Sequence, residues 1–269
     1  MTQTTGGDHY GDVIVRVSGL EYTVDGRVIL EDIDFDVREG EIFGIMGMSG
    51  SGKSTTLRCL MGLIQPSAGT IEIDGEVITG QSEDDLNSAR IKMGMCFQMA
   101  ALFDSMTVRE NVAFGLKRHT KLSKDEIAGR VAENLAIVGL TGFEDYMPAD
   151  LSGGMRKRVG IARAMIMHPK ILLYDEPTSG LDPITAGQIN GLILRLRQEF
   201  GTTSIVVTHE VDRLFAIADR VMMIDERTVT ACGTPEELFR SDNERVRAFV
   251  AGDMHGPTDM CLTGPQSPG

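Results

Sequence analysis

The strongest constraint on the fold is the glycine-rich segment Gly47-Met-Ser-Gly-Ser-Gly52-Lys53-Ser54, which fits the pattern G-x-x-x-x-G-K-[ST] at every position. The apolar run Ile42–Met46 comes directly before it and predicts a buried strand. Apolar residues at helical spacing follow it and predict a core-facing helix: Leu57, Leu60, Met61 and Ile64. Glycines let backbone N–H groups turn toward an anion, and a helix N-terminus adds partial positive charge. The segment therefore predicts a strand–loop–helix unit that binds the phosphates of a nucleotide.

The polar residues around this unit indicate its chemistry. The Lys53 ammonium can lie between the β- and γ-phosphates, and the Ser54 hydroxyl is a hard oxygen ligand of the kind that Mg²⁺ prefers. Further along, the apolar run Ile171–Tyr174 predicts a strand that delivers Asp175, and such a carboxylate holds the metal in phosphate-loop proteins. Glu176 follows at once and suits a base that polarises the attacking water.

A second glycine-containing segment, residues 151–155, reads Leu-Ser-Gly-Gly-Met and opens another predicted helix with a basic first half. The Ser152-Gly153-Gly154 start exposes backbone N–H groups at a helix N-terminus, which makes a second anion site. An ordinary helix cap followed by a solvated basic face would have the same pattern. One chain needs only one triphosphate site. The second segment therefore predicts two copies arranged head to tail, each completing the other's nucleotide site.

Strands and helices alternate along the rest of the chain. Strands are predicted at Val13–Val17, Ile33–Val37, Ile71–Ile78, Ser204–Val207 and Val221–Ile224, with Asp74-Gly75 as a hairpin turn. An apolar stripe over 189–200, closed by Gly201, and the segment Val211–Ala218 predict helices. This order predicts parallel βαβ units with helices on both faces of the sheet.

The middle of the chain, from about 100 to 167, is predicted to be a helical insertion, which gives two lobes in one chain. Ser123 and Glu126 fit a capping box, and one apolar face follows it: Ile127, Val131, Leu135 and Val138. The Gly-, Pro- and Ser-rich end, Gly256–Gly269, is predicted to lack a core of its own.

Length, charge and cysteine content limit the class of protein. The 269 residues suffice for one large domain or two modest ones, and no apolar run approaches the ~20 residues of a membrane span. A formal charge of −13 argues against nucleic-acid binding, which needs a basic face. Four scattered cysteines are predicted to be buried and reduced: Cys59, Cys96, Cys232 and Cys261. Since the first ten residues do not fit a signal peptide, we expect a soluble cytoplasmic protein.

In their order and spacing, these motifs resemble the ABC-transporter ATPase family over residues 13–240. The family positions are filled by Tyr22, the phosphate loop 47–55, Gln98, the signature 151–155, Asp175 with Glu176, the D-loop Ser179-Gly-Leu-Asp182, and His209. The resemblance implies an α/β fold: a P-loop ABC ATPase cassette with a RecA-like mixed sheet core, an antiparallel β subdomain and an inserted helical subdomain. Residues 241–269 would form a partly flexible C-terminal extension.

The resemblance also implies ATP and Mg²⁺ as cofactors and a role for each motif position. The catalytic residues are Glu176, His209 and Lys53. The metal ligands are Ser54, Gln98 and Asp175. The nucleotide-binding residues are Tyr22 at the adenine, and Gly47, Ser49, Gly50, Ser51, Gly52, Lys53, Ser54, Thr55, Gln98, Ser152, Gly153, Gly154 and Asp182.

Within the family, several segments resemble the ATPases of MCE-associated (Mla-type) systems, which move phospholipids or related lipids between membranes. These segments are 98–108, 110–114, 118–120, 151–164, 180–184, 245–249 and 255–257. The resemblance implies an ATPase homodimer on the cytoplasmic face of the inner membrane, peripheral through an integral-membrane permease. Such systems often add a STAS-domain protein and an MCE-domain lipid-binding protein, and no nucleic acid is implied.

Three other classes of protein share part of this pattern. A Met-containing signature also occurs in importers of betaine or amino acids. A soluble, non-transport ABC ATPase of chromosome structure would need a long coiled coil between Gln98 and Ser152, where the chain is too short for one. A P-loop kinase or switch GTPase would lack the Ser-Gly-Gly signature.

The stretch Met95–Met106 is unusually apolar for a loop. Its apolar residues surround Gln98: Met95, Phe97, Met99, Leu102, Phe103 and Met106. They could pack beneath the helical insertion, or they could form a groove for a short amphipathic helix of a permease, since flexible Met and aromatic anchors suit such recognition. The second interpretation predicts that a charge at Leu102 or Phe103 abolishes association with the membrane partner.

Overall fold

The structure is a computed structural model, and it describes residues 10–255. The strands are β1 (Val13–Val24), β2 (Arg27–Arg38), β3 (Ile42–Met46), β4 (Ala68–Ile73), β5 (Glu76–Val77), β6 (Met93–Cys96), β7 (Ile171–Asp175), β8 (Thr203–Val207), β9 (Arg220–Asp225) and β10 (Thr228–Gly233). The helices are α1 (Lys53–Leu60), α2 (Glu83–Ile91), α3 (Val108–His119), α4 (Lys124–Ile137), α5 (Gly153–Met165), α6 (Pro183–Phe200), α7 (Val211–Phe215), α8 (Pro235–Phe239) and α9 (Glu244–His255).

A six-stranded mixed sheet forms the centre, in the order β10-β9-β3-β8-β7-β6. Its strands are parallel except for the edge strand β10, which pairs antiparallel with β9. Every residue of β3, β7 and β8 is buried, as expected for strands covered on both faces. Because β3, β8 and β7 are parallel neighbours, the residues that follow them meet at one edge of the sheet.

A second sheet is antiparallel, in the order β2-β1-β4-β5, and packs over α1. Its inner face shares a core with one face of the central sheet, whereas the other face packs against the helical layer. The predicted hairpin turn is confirmed: Asp74 and Gly75 have φ of +50° and +78°, the left-handed pair that a tight two-residue turn requires. The predicted mixed sheet and antiparallel subdomain are both observed.

The helices α3, α4 and α5 lie between β6 and β7 and form the helical subdomain. The predicted capping box at α4 is confirmed, since Ser123 Oγ accepts from the Glu126 N–H and Glu126 Oε2 accepts from the Ser123 N–H. Thr107 and Glu110 form an equivalent box at α3. On α4, Val131 and Leu135 are buried, as its apolar stripe predicts.

Some predicted boundaries are wrong. The first helix ends at Leu60, so Ile64 lies beyond it, because Gly62 adopts φ +62° and stops the helix. The helix predicted over Val211–Ala218 ends at Phe215. Residues 97–107 form turns before α3 begins.

The cysteine prediction is partly wrong. Cys59 and Cys96 are buried, and burial raises the pKa of both thiols to about 12, but Cys232 is exposed. Cys261 lies in 256–269, outside the described residues, as does the predicted coreless end. Within residues 10–255, no helix is both long enough and apolar enough to span a bilayer.

Candidate active site

The glycine-rich loop joins β3 to α1 and depends on two glycines. Gly47 has φ +148°, and a Cβ there would lie 2.2 Å from the Ile224 carbonyl oxygen. Gly52 has φ +106°, and a Cβ there would lie 2.4 Å from Leu30 Cδ2. Any larger residue would clash at either position, so β9 and β2 hold the loop in a conformation that only glycine allows.

Lys53 and Ser51 supply the polar groups of the loop. Lys53 Nζ donates to the carbonyl oxygens of Gly47 at 2.8 Å and Met48 at 2.7 Å. Burial lowers the pKa of Lys53, while the carboxylates of Glu176 and Asp175 oppose that shift. Ser51 Oγ is buried and has no hydrogen-bond partner among residues 10–255. This hydroxyl is therefore available to a phosphate oxygen.

Two of the three predicted metal ligands are in contact. Asp175 ends β7, and its Oδ1 accepts a 2.8 Å hydrogen bond from Ser54 Oγ at the start of α1. The third predicted ligand, Gln98, lines the same cleft. A carboxylate, a hydroxyl and an amide oxygen are donors that suit Mg²⁺.

Glu176 lies one residue beyond the strand and is held on several sides. Its Oε2 accepts from Thr208 Oγ1 at 3.0 Å, and its Oε1 lies 2.8 Å from His209 Nδ1. Its main-chain N–H donates to the Val207 carbonyl at 2.9 Å. These contacts join the ends of β7 and β8, so the predicted base Glu176 and His209 form one unit. Thr208 belongs to this unit but has no recognisable sequence motif.

The phosphate loop, Glu176 and His209 border a cleft of about 890 Å³. Nine predicted site residues line it: Ser49, Gly50, Gly52, Lys53, Ser54, Thr55, Gln98, Glu176 and His209. Tyr22 is not among its lining residues; it pairs with Leu30 across β1 and β2 and packs against the core beneath the antiparallel sheet.

The signature segment lies elsewhere in the same chain. Ser152 caps α5 by accepting from the Met155 N–H at 3.3 Å, and a Cβ at Gly154 would lie 2.4 Å from Thr185 Cγ2. Asp182 caps α6 and accepts from the N–H groups of Ile184 and Thr185, both at 3.0 Å. Hydrogen bonds from Thr185 hold the pKa of Asp182 below its ordinary value. The signature and Asp182 therefore form a cluster that does not line the cleft of its own chain.

Sequence reasoning missed the contribution of the C-terminal helix. Arg245, Ala248, Phe249 and Gly252 of α9 line the cleft together with the phosphate loop. Arg245 is fixed by ion pairs with Asp225 at 3.2 Å and Glu226 at 2.6 Å. Val246 and Val250 are buried and lie four residues apart, with the cleft-lining residues around them in the sequence. This helical spacing is the signal that could have predicted the element.

A second, smaller cleft of about 400 Å³ lies beside the helical subdomain. Met95, Phe97 and Phe103 of the apolar stretch line it, together with Phe114 of α3 and Met167. Of the other predicted groove residues, Met99 is exposed, whereas Leu102 packs against the core. The apolar stretch is thus divided between core and surface.

Comparison with known proteins agrees with this geometry. The family model described as ABC transporter matches residues 30–179. The intermembrane phospholipid transport system ATP-binding protein MlaF of Haemophilus influenzae is 40% identical over 91% of this chain and 92% of its own length. The probable ribonucleotide transport ATP-binding protein mkl of Mycobacterium leprae is 40% identical over 92% of this chain and 72% of its own. The glycine betaine transport ATP-binding protein OpuAA of Bacillus subtilis is 46% identical over 81% of this chain and 52% of its own.

A similar solved structure is that of the ATP-binding cassette MJ0796 in a dimeric post-hydrolysis state, bound to ADP and Pi. It matches with a TM-score of 0.76 at 32% identity and covers 82% of this chain and 98% of that one. Cassettes of this kind dimerise and work with permease components of the membrane. The chain therefore belongs to the ABC transporter family, as an ATP-binding and ATP-hydrolysing subunit.

Proposed function

We propose that this chain powers the movement of phospholipids or related lipids between membranes, as the ATPase of an MCE-type system. The observation that carries the proposal is the similarity to MlaF, which extends over nine-tenths of both chains. The ATPase cassette would comprise residues 13–240, with the helical insertion at about 100–167 and an extension from 241.

For the chemistry, we propose that Ser54, Asp175 and Gln98 hold Mg²⁺ beside the ATP phosphates, where the ion would neutralise phosphate charge. The 2.8 Å contact between Ser54 Oγ and Asp175 Oδ1 supports this donor set. Lys53 binds phosphate oxygens from its position at the loop. Tyr22 is not among the residues that line the cleft, and its proposed place at the adenine is based on the family resemblance alone. Glu176 accepts the proton of the attacking water, while Thr208 and His209 orient its carboxylate.

We further propose that the working unit is a head-to-tail homodimer. Ser152, Gly153, Gly154 and Asp182 form a cluster away from the cleft that the phosphate loop lines. A helix N-terminus that offers backbone N–H groups is suited to a phosphate, and the partner's nucleotide would supply one. Each site would therefore combine the loop of one chain with the signature of the other.

The membrane partner is proposed to bind at the smaller cleft. Exposed Phe97 and Phe103, with Phe114 beside them, offer apolar anchors for a short helix of an integral-membrane permease. The chain would then be peripheral on the cytoplasmic face of the inner membrane. A STAS-domain protein and an MCE-domain lipid-binding protein are the accessory partners that the Mla-type resemblance implies.

Purification and reconstitution test this proposal. The tagged chain is isolated from membranes with its bound partners, which mass spectrometry identifies, and the complex is placed in vesicles. We expect ATP-dependent transfer of labelled phospholipid to acceptor vesicles, and none with the complex that contains Glu176→Gln.

A second candidate is a betaine importer, which the 46% identity to OpuAA favours. The same vesicles loaded with ATP are therefore offered labelled glycine betaine. ATP-dependent uptake of betaine without lipid transfer would replace the lipid proposal. Recovery of an active ATPase that never associates with a polytopic protein would indicate a non-transport ATPase instead.

A further inference from the structure

Lys157 makes a contact with the catalytic segment that the mechanism above does not use. It lies in the second turn of α5, five residues after Ser152, and its Nζ donates a 2.8 Å hydrogen bond to the main-chain carbonyl of Glu176. This bond joins the helix that begins at the signature to the residue proposed as the base. Its acceptor is a peptide oxygen, so the Glu176 carboxylate stays free for Thr208 and His209.

The main chain of Glu176 needs such support because its conformation is unfavourable. Glu176 has φ +50°, in the left-handed region that residues with a Cβ rarely adopt. The same carbonyl accepts a longer bond, of 3.3 Å, from the Ser179 N–H, and the Glu176 N–H is held by Val207. Since φ and ψ together orient the Cα–Cβ bond relative to the two flanking peptides, bonds to the N–H and the carbonyl of Glu176 help to direct its side chain.

The charges around Lys157 favour a strong hydrogen bond to the Glu176 carbonyl. The side chain is half-buried, and burial lowers its pKa, whereas the carboxylates of Glu176, Glu210 and Asp175 favour its charged form. A cation held among these carboxylates donates a stronger hydrogen bond than a neutral group would. Among residues 10–255, loss of Lys157 would leave the Glu176 carbonyl with only the bond from the Ser179 N–H.

We propose that Lys157 is a positioning residue for ATP hydrolysis, which fixes the main chain of Glu176 so that its carboxylate faces the cleft. The proposal rests on the proposed role of Glu176 as the base. Lys157 does not line the cleft, so its action is on the base and leaves ATP binding to the loop.

The first test compares steady-state kinetics of Lys157→Met, Lys157→Arg and the control Arg158→Met, which removes an adjacent charge that contacts Gln188. Lys157→Met should lower kcat about five- to tenfold with an unchanged KM for ATP, as for loss of one hydrogen bond that acts in the transition state. Lys157→Arg should recover most of the rate, and Arg158→Met should stay within about twofold of wild type. An unchanged kcat in Lys157→Met, or a rise in KM alone, would overturn the proposal.

A second test separates support of Glu176 from support of the signature helix, and it holds even where Lys157→Met weakens the fold. Mixed dimers are purified in which one chain carries Ser152→Arg. Its damaged signature inactivates the site that contains the other chain's Glu176, so only the site that contains the Ser152→Arg chain's own Glu176 remains active. Lys157→Met in the Ser152→Arg chain should lower the rate of ATP hydrolysis. The same substitution in the other chain, which supplies only the signature to the remaining site, should leave the rate unchanged. The reverse pattern, or no loss in either, contradicts the proposal. Full activity of Glu176→Gln would instead refute the role of the base.

Discussion

At the scale of single residues, the proposed site assigns ATP binding and ATP hydrolysis to different side chains. Lys53 is buried and bonded to carbonyl oxygens of the phosphate loop, whereas Glu176 follows β7 and is held by Thr208 and His209. Phosphoryl transfer depends mainly on positioning and on neutralisation of charge. Substitutions of Lys53 should therefore impair ATP binding, whereas substitutions of Glu176 should impair hydrolysis.

Glu176→Gln should abolish turnover while ATP remains bound, because the amide keeps the shape of the side chain but cannot accept the proton. A loss of at least about a hundredfold in kcat is expected for removal of a general base. Lys53→Ala should lose the nucleotide itself. Equilibrium binding of labelled ATP and steady-state hydrolysis distinguish the two. Hydrolysis by Glu176→Gln at the wild-type rate would show that another group is the base.

The proposed metal ligands give a second residue-scale prediction. Chelation of Mg²⁺ should stop hydrolysis, and Asp175→Asn should raise the Mg²⁺ concentration for half-maximal rate on the order of tenfold or more, since a ligating charge is lost. The measurement is the rate as a function of free Mg²⁺ at saturating ATP. A titration curve identical to that of the wild type would exclude Asp175 as a ligand.

At the scale of elements, the segment between β6 and α3 presents one side to the core and the other to the smaller cleft. Asn111 Oδ1 accepts from the Phe103 N–H at 2.8 Å, and its Nδ2 donates to the Phe103 carbonyl at 3.1 Å. The main chain at Phe103 is thus held by α3 independently of its own ring. That ring packs on Phe114 with centroids 4.8 Å apart and remains 41% exposed.

Phe103→Asp should therefore fold, bind ATP and lose co-purification with the permease. Phe200→Asp is the matched control, since Phe200 is 43% exposed at the end of α6, away from the smaller cleft. Leu102→Asp should instead destabilise the fold by several kcal/mol, because it places a charge against the core. Association of Phe103→Asp with the membrane partner at the wild-type level would place the permease contact elsewhere.

The hairpin between β4 and β5 attaches the antiparallel sheet to the edge of the central sheet. Asp74 forms ion pairs with Lys170 at 2.8 Å and Lys92 at 3.0 Å, which lie just before β7 and β6. The hydrogen bond from Lys170 is the largest cause that holds the pKa of Asp74 below its usual 3.8. The carboxylate therefore stabilises the fold above pH 3.8, and this contribution is lost as pH falls through the lower folded-state pKa.

Asp74→Asn keeps a residue that tolerates the left-handed turn but removes the charge. It should lower the free energy of unfolding by about 0.5–1 kcal/mol at pH 7 and low salt, as for exposed ion pairs. The difference should shrink at high salt and vanish in acid below the folded-state pKa. Urea unfolding measures it, with Asp104→Asn as the control, because Asp104 forms no ion pair within residues 10–255. Equal stability of Asp74→Asn and wild type at pH 7 would refute this attachment.

Elements with a local signal were predictable, and those stabilised by distant contacts were not. The phosphate loop, the capping box at Ser123 and the turn at Asp74 each follow from adjacent residues. In contrast, β6 was not predicted, because Met93–Cys96 is short and becomes a strand only by pairing with β7. Likewise, Thr208 and Lys157 meet Glu176 only through folding, because they lie 32 and 19 residues away from it in the sequence.

At the scale of the whole molecule, the phosphate loop and the signature segment lie in separate regions of one chain. The carboxyl ends of β3, β7 and β8 bring together the phosphate loop, Asp175, Glu176 and His209. The signature begins α5 on the helical subdomain, beside Asp182. Since neither Ser152 nor Asp182 lines the cleft, ATP hydrolysis is proposed to need two chains.

Complementation between two inactive variants tests this arrangement most directly. The Ser152→Arg chain has an intact phosphate loop and a damaged signature, whereas the Lys53→Ala chain has an intact signature and a damaged phosphate loop. Each homodimer should therefore be inactive. Mixed dimers, purified through a different tag on each chain, should regain hydrolysis at up to about half the wild-type rate, because one complete site forms across the two copies. Mixed dimers no more active than either parent would contradict the head-to-tail arrangement.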